Sequence, residues 1–125
     1  MYTPTRPAPD EALLGSLSAY PVGDSTSYFF NEAVRVGSFS RMEEIDFSPG
    51  RFARLQASKQ VMPLPDSNQA ESFTNDFRYN YQSKQHSLAD YLSRQRVMGL
   101  MVVQGGQRLF EAYQYQRTPS MRFLG

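Results

Sequence analysis

The chain contains no cysteine, no tryptophan and a single histidine, His86. The lack of cysteine excludes disulfides, thiolate nucleophiles and cysteine-ligated metal centres. With one histidine and no thiol, only carboxylates would be left to complete a metal site, so we expect no metal and no other cofactor. The chain also lacks a dominant charge, because 13 basic residues stand against 12 acidic ones. This balance gives no field that would attract nucleic acid or an anionic membrane surface.

Long hydrophobic runs are missing as well. The longest, Leu100–Val103, is far shorter than the roughly 20 apolar residues that a membrane-spanning helix needs. No apolar stretch of the kind found in signal peptides follows Met1–Pro7. We therefore expect a cytoplasmic chain without a membrane partner.

Aromatic residues and prolines are plentiful in the first part of the chain, residues 1–72. Pro4, Pro7 and Pro9 prevent a regular helix at the start, and Pro63 and Pro65 interrupt the end of this segment. The apolar residues of Tyr28–Phe39 follow neither a helical nor a strand period. The pattern predicts an irregular arm over residues 1–72, followed by a better organised part over residues 73–125.

Residues 73–125 carry clear signals for a strand and a helix. The aromatic residues of Phe77–Gln82 alternate with polar ones, which is typical of a half-buried strand. Ser87 is a good N-cap for a helix over Leu88–Arg96, and Asp90 stands at the position that completes a capping box. Asp90 and Arg94 have the spacing of an ion pair on the helix surface.

A hairpin is predicted next. Leu100–Gln104 and Gln107–Tyr115 read as two strands, and Gly105-Gly106 between them supplies a tight turn. The expected fold class is α+β, with an arm, a strand, a helix and an antiparallel hairpin. An isolated hairpin is marginal in water, and one short helix cannot cover both of its faces. We therefore expect further polypeptide to complete the sheet, which makes the chain a single incomplete domain.

The segment Ser87–Val103, continued by Gly105–Tyr115, resembles the first helix and strands of β-lactamase-related serine hydrolases, especially class C-like esterases and 6-aminohexanoate-dimer hydrolases. Tyr28–Asn31 and Arg35–Ser40 are similar to the N-terminal arm of those proteins. The resemblance implies the N-terminal part of a β-lactamase/transpeptidase-like fold. It also implies a parent enzyme that is an esterase or amidase acting through an acyl-enzyme.

The catalytic motifs of that family have no counterpart in this sequence. The family's Ser-x-x-Lys follows the segment that matches Thr118–Phe123. Here Lys59 is preceded three positions earlier by Gln56, and Lys84 by Tyr81, so neither lysine belongs to such a motif. Lys-Thr-Gly is absent, and Tyr79-Asn80-Tyr81 is not the family's Tyr-x-Asn. We assign no catalytic, cofactor-binding or metal-binding residue and expect the chain alone to be inactive, which leaves its status as an enzyme uncertain.

Two other candidate sites favour ordinary structural roles. His86 would need a nucleophile and an orienting acid within reach to act in a triad, and a surface turn is the simpler interpretation. Glu43, Glu44 and Asp46 form the densest acidic cluster, and paired carboxylates act as acid and base only where burial separates their pKa values. Arginines flank this cluster, so we interpret it as a solvated face.

A mixture of rings and basic side chains is the last candidate. Its members are Phe77, Arg78, Tyr79, Tyr81, Tyr113, Tyr115, Arg117 and Arg122. Such a set suggests a stacking platform for single-stranded nucleic acid, but the aromatic period matches sheet burial, so we expect no nucleic-acid partner. Gly105-Gly106 is not a phosphate-binding loop, because no helix and no Lys-Ser/Thr follow it.

Two functions remain open from the sequence. The first is a structural N-terminal portion of a serine hydrolase whose partner is the rest of that domain. The alternative is a non-catalytic protein that binds a partner or forms a homo-oligomer. In that case an open strand edge at Gln107–Tyr115 would pair with a second copy.

Overall fold

A computed structural model describes residues 10–48, 56 and 58–121. The chain divides into two compact units, which we call the N-terminal unit (Pro7–Lys59 with Thr118–Gly125) and the hairpin unit (Met1–Arg6 with Gln60–Arg117). Helices and two small antiparallel sheets make up the regular structure of the described residues, so the expected α+β class is confirmed. None of the helices seen in these ranges combines the length and the apolar character needed to cross a membrane.

The N-terminal unit contains the helix α1 (Glu32–Ser40), with 3-10 turns at Ser16–Ser18 and Met42–Glu44. The helix begins where the Asn31 side chain accepts a hydrogen bond from the backbone N–H of Ala33. The prediction of an irregular arm is therefore wrong over α1. The apolar spacing of this segment concealed the helix, whose start is set by a side-chain cap.

The helix α1 lies very close to the turn at Tyr20–Pro21. A Cβ atom on Gly37 would come within 2.2 Å of the carbonyl oxygens of both Tyr20 and Pro21. Arg41 Nη2 donates to the Tyr20 carbonyl over 2.8 Å, and the backbone N–H of Gly23 donates to Ser38 Oγ over 2.9 Å. Gly37 thus permits a close main-chain approach that adds to the buried apolar side chains of this unit.

The hairpin unit contains two helices and two strand pairs. These elements are α2 (Ala70–Asp76), β1 (Arg78–Tyr81), β2 (Lys84–Ser87), α3 (Leu88–Arg94), β3 (Gly99–Gln104) and β4 (Gln107–Tyr113). Both pairs, β1 with β2 and β3 with β4, are antiparallel. The predicted strand and the predicted hairpin are confirmed, with Gly105 and Gly106 at positive φ in the turn.

The helix α2 and the strand β2 were not predicted from the sequence. The chain turns back from β1 into β2 at Gln82 and Ser83, which have positive φ values of 48° and 59°. A two-residue turn of this kind normally carries Asn-Gly, so Gln-Ser gives little signal for it.

The predicted helix cap at Ser87 is present in full. Ser87 Oγ accepts a hydrogen bond from the backbone N–H of Asp90, and Asp90 Oδ2 accepts one from the backbone N–H of Ser87. The hydrogen bonds that the Ser87 backbone N–H and hydroxyl donate to the Asp90 carboxylate lower the pKa of Asp90. The carboxylate is thereby engaged at the cap. The Arg94 side chain contacts His86, so the predicted ion pair with Asp90 does not form and only a longer-range attraction between the two remains.

The core of the hairpin unit lies on one face of the β3–β4 pair. It is formed by Leu88 and Leu92 of α3 with Phe110 and Ala112 of β4. Half-buried side chains pack against this core, namely Phe73, Phe77, Val97, Leu100 and Val102. The alternate residues of β3 remain uncovered, with Met101 45% and Val103 47% exposed.

The two outer edges of the β3–β4 pair differ. Arg108 of β4 donates its backbone N–H to the Pro65 carbonyl and accepts a hydrogen bond from the Ser67 N–H, and its side chain forms ion pairs with Asp66 and Glu111. We expected an open edge at Gln107–Tyr115, but it is occupied at Arg108. Within residues 10–48, 56 and 58–121, no strand pairs with the far side of β3.

Candidate ligand-binding groove

A groove of about 630 Å³ lies within the hairpin unit, on the face of β3 that carries Leu100 and Val102. Its lining residues come from α2, β1, α3, β3 and the residues next to these elements. They are Phe73, Phe77, Tyr79, Tyr81, Leu88, Tyr91, Arg94, Gln95, Leu100 and Val102. This volume falls within the range of roughly 300–1,000 Å³ that is usual for small-molecule sites.

The β1–β2 hairpin and α3 bring the aromatic rings of the groove together. Tyr79 and Tyr81 stand two residues apart on β1 and so share a face of the strand. Tyr79 is paired in register with His86, and the two rings stack with centroids 5.2 Å apart. From α3, the Tyr91 ring meets Tyr79 edge-on at 5.9 Å. Tyr81 is 49% exposed and Tyr91 38% exposed, so this end of the groove opens to solvent.

Arg94 places a positive charge at the open end of the groove. Its guanidinium carbon lies 5.0 Å from the centre of the Tyr81 ring, which is a cation–π geometry. Arg94 Nη1 lies 3.2 Å from His86 Nε2 and 3.4 Å from Nδ1. Among the described residues no carboxylate forms an ion pair with Arg94, although the Asp90 carboxylate attracts it at longer range.

His86, considered above as a catalytic residue, is part of this aromatic cluster. Its ring contacts Tyr79, Tyr81 and Arg94. The nearby Ser87 hydroxyl donates to the Asp90 carboxylate over 3.0 Å and caps α3. Among the described residues, His86 therefore has no serine hydrogen bond and no carboxylate hydrogen bond of the kind a triad requires.

The acidic cluster Glu43, Glu44 and Asp46 lies in the N-terminal unit, and all three residues are exposed. Glu44 Oε1 is 3.7 Å from Arg41 Nε, and Asp46 accepts a hydrogen bond from the Ser48 backbone N–H. Exposed carboxylates in such contacts form a solvated surface, as the sequence indicates.

The residues of the supposed nucleic-acid platform that lie in the described part of the chain are not brought together. Only Phe77, Tyr79 and Tyr81 line the groove. Arg78 donates to the backbone carbonyls of Asn75 and Phe77. The others lie elsewhere: Tyr115 is buried, Tyr113 donates to Glu111 Oε1, Arg117 donates to the Tyr115 carbonyl, and Arg122 lies outside the described residues.

Arg108 links two carboxylates at the outer edge of β4. Its Nε lies 2.7 Å from Asp66 Oδ1, and this hydrogen bond lowers the pKa of Asp66. The hydrogen bond from the Tyr113 hydroxyl to Glu111, together with burial, raises the pKa of Tyr113. Since Asp66 lies in the loop before α2, this network fastens the loop to the sheet.

Sequence reasoning missed the groove because its charged residue depends on two unpredicted features. One is β2, which brings His86 beside Tyr79; the other is the direction of the Arg94 side chain. The available signal was the pair of tyrosines on β1 with Tyr91 and Arg94 one turn apart on α3. In the described ranges no group of three or more histidine and acidic side chains is placed to hold a metal ion. No family model, no curated protein and no solved structure matches the chain.

Proposed function

We propose that the chain is the N-terminal structural portion of a β-lactamase-related serine hydrolase, as its resemblance over Ser87–Val103 and Gly105–Tyr115 implies. In this proposal the hairpin unit begins the sheet of an esterase or amidase that acts through an acyl-enzyme. The chain contributes one wall of the catalytic domain, and the rest of the domain supplies the serine and lysine.

The exposed face of β3 is the observation that supports this proposal. Met101 and Val103 are each nearly half exposed, while Leu100 and Val102 on the other face pack against the core. Burying a side chain of this size completely contributes about 1.5–3 kcal/mol. Further polypeptide packed on this face would gain that free energy, and a strand added along the free side of β3 would extend the sheet.

The reading frame provides the first test. We expect the transcript to encode an in-frame Ser-x-x-Lys within a few codons on the 3′ side of the Gly125 codon. The protein translated with that extension should hydrolyse p-nitrophenyl esters with a burst, and a serine-to-alanine change in the motif should abolish turnover. The 125-residue chain alone should give no turnover. A stop codon in place of the motif, or serine-dependent turnover by the 125-residue chain, would contradict the proposal.

Self-association is the second candidate function, and the free side of β3 favours it. The six residues Gly99–Gln104 contain no charged side chain, although charged residues are a common protection of exposed strand edges. Two copies could therefore pair antiparallel along β3 without repulsion between like charges.

Sedimentation velocity tests this second candidate. We expect dimers of the wild-type chain that Val103→Lys disrupts, because a lysine charge on this apolar strand opposes edge-to-edge pairing. Val61→Lys, at another exposed valine of the same unit, serves as the control and should leave the dimer intact. A wild-type chain that sediments as a monomer at all concentrations would exclude self-association.

A further inference from the structure

We propose that the groove between the β1–β2 hairpin, α3 and β3 binds a planar aromatic carboxylate. This site lies on the Leu100 and Val102 face of β3, so it is separate from the Met101 and Val103 face on which the proposed hydrolase role depends.

The lining of the groove selects a flat, apolar ligand body. Five of its side chains are rings, from Phe73, Phe77, Tyr79, Tyr81 and Tyr91. These rings already meet one another in tilted and edge-on geometries, with Phe77 to Tyr79 at 6.5 Å and Tyr79 to Tyr91 at 5.9 Å. A further ring placed against them in the groove can form the same offset and edge-to-face contacts, which an alkyl chain cannot.

Arg94 selects the charge of the ligand. One of its terminal nitrogens, Nη1, already contacts the His86 ring, which holds the guanidinium over Tyr81. Its Nε–H and Nη2–H groups form no hydrogen bond with the described residues, so both are available on one side of the guanidinium. Two parallel N–H donors match the two oxygens of a carboxylate.

The charge balance of the site favours a monoanion. Arg94 lines the groove and forms no hydrogen bond or ion pair with a carboxylate of the described residues; the nearby Asp90 attracts it electrostatically, but the hydrogen bonds of that carboxylate go to the Ser87 cap. A ligand with one carboxylate would neutralise Arg94 and leave its rings in the apolar part of the groove. Gln95, on the same lining, adds an amide and no charge.

Calorimetric titration of the complete chain with naphthoate and naphthamide tests the proposal. The two probes have the same ring system, but only naphthoate carries a negative charge at neutral pH. We expect naphthoate to bind about fivefold more tightly than naphthamide, as one charge-assisted contact at a solvent-exposed rim allows. Equal affinities, or no binding of either probe, would overturn the proposal.

Charge variants show which residue causes the preference for naphthoate over naphthamide. Arg94→Gln should make the two affinities equal and leave naphthamide binding unchanged. Gln95→Glu should weaken naphthoate alone, again by about fivefold. Lys84→Gln removes one exposed positive charge from β2 outside the groove lining and should preserve the wild-type preference. If Lys84→Gln reduced the preference for naphthoate as much as Arg94→Gln does, a general effect of charge, and not a site at Arg94, would explain the preference.

Nuclear magnetic resonance separates binding from a loss of folding. In the wild-type chain, naphthoate should shift the ring signals of Tyr79 and Tyr91 and leave those of Tyr28 in the N-terminal unit unchanged. The spectrum of free Arg94→Gln should match the wild-type spectrum away from the groove. Ring shifts confined to tyrosines outside the groove would contradict the assignment.

Discussion

The two units of the chain differ in what their structures tolerate. The hairpin unit packs side chains from regular elements around Leu88, Leu92 and Phe110. The N-terminal unit also buries apolar side chains, such as that of Leu14, and adds a close approach of main chain to main chain, where Gly37 meets the carbonyl oxygens of Tyr20 and Pro21. Both units are therefore sensitive to the removal of core atoms, and the N-terminal unit is also sensitive to the addition of a single methyl group.

Truncation of a core side chain should have the largest effect. Leu92 is 1% exposed, and Leu92→Ala should lower the free energy of unfolding of the hairpin unit by about 3 kcal/mol, through lost burial and a cavity. Urea denaturation, followed by the amide signals of β3 and β4, measures this loss. Met62→Ala, at a residue of the same unit that is 88% exposed, should cost less than about 0.5 kcal/mol. If the two variants lost similar amounts of unfolding free energy, the burial of Leu92 would not explain its effect.

Addition of a methyl group tests the N-terminal unit. Gly37→Ala should destabilise it by about 2 kcal/mol, because backbone oxygens 2.2 Å from the new Cβ must move. Gly105→Ala is the control, since its Cβ would meet nothing within 4 Å and only the positive φ of 59° opposes it. That strain costs about 1 kcal/mol. Amide exchange in α1 measures the first effect, and a larger loss from Gly105→Ala would contradict this account.

Each unit has a helix that begins at a side-chain N-cap, so the contribution of a cap to stability can be compared between the two units. Ser87→Ala removes a reciprocal cap from α3 and should cost about 1 kcal/mol, and Asn31→Ala should cost a similar amount at α1. Ser93→Ala, at an exposed position of α3, should leave stability nearly unchanged. Thermal unfolding by circular dichroism provides the measurement. If Ser93→Ala and Ser87→Ala had equal effects, the cap would not be the cause.

A fall in pH should produce the smallest effects on the free energy of unfolding. The Thr26 hydroxyl and nearby backbone N–H groups lower the pKa of Asp24 in the N-terminal unit, and the Ser87 hydrogen bonds lower that of Asp90 in the hairpin unit. Because both folded pKa values lie below the unfolded value of about 3.9, each carboxylate stabilises the fold at neutral pH. That contribution declines as the pH falls through the folded pKa.

Asp24→Asn and Asp90→Asn should therefore flatten the loss of stability between about pH 4 and pH 2, each in its own unit. Urea midpoints measured across this range, with the amide signals of each unit as the probe, test the expectation. An unchanged slope for both variants would show that these hydrogen bonds do not survive in solution.

Sequence patterns predicted the elements whose signals are local. The alternation in Phe77–Gln82, the cap at Ser87 and the turn at Gly105-Gly106 each act within a few residues, so their structures follow from nearby sequence. The helix α1 and the strand β2 were missed because their apolar periods are weak and the Gln82-Ser83 turn lacks the usual residues.

By itself, the sequence determined the α+β class, the β3–β4 hairpin and the absence of thiol chemistry, since these follow from residue types and short-range geometry. Only the tertiary structure decided that Arg94 turns to His86 and Tyr81 instead of Asp90, which creates a charged rim beside an aromatic groove. The direction of a long side chain depends on neighbours from other elements, and residue spacing along a helix does not contain that information.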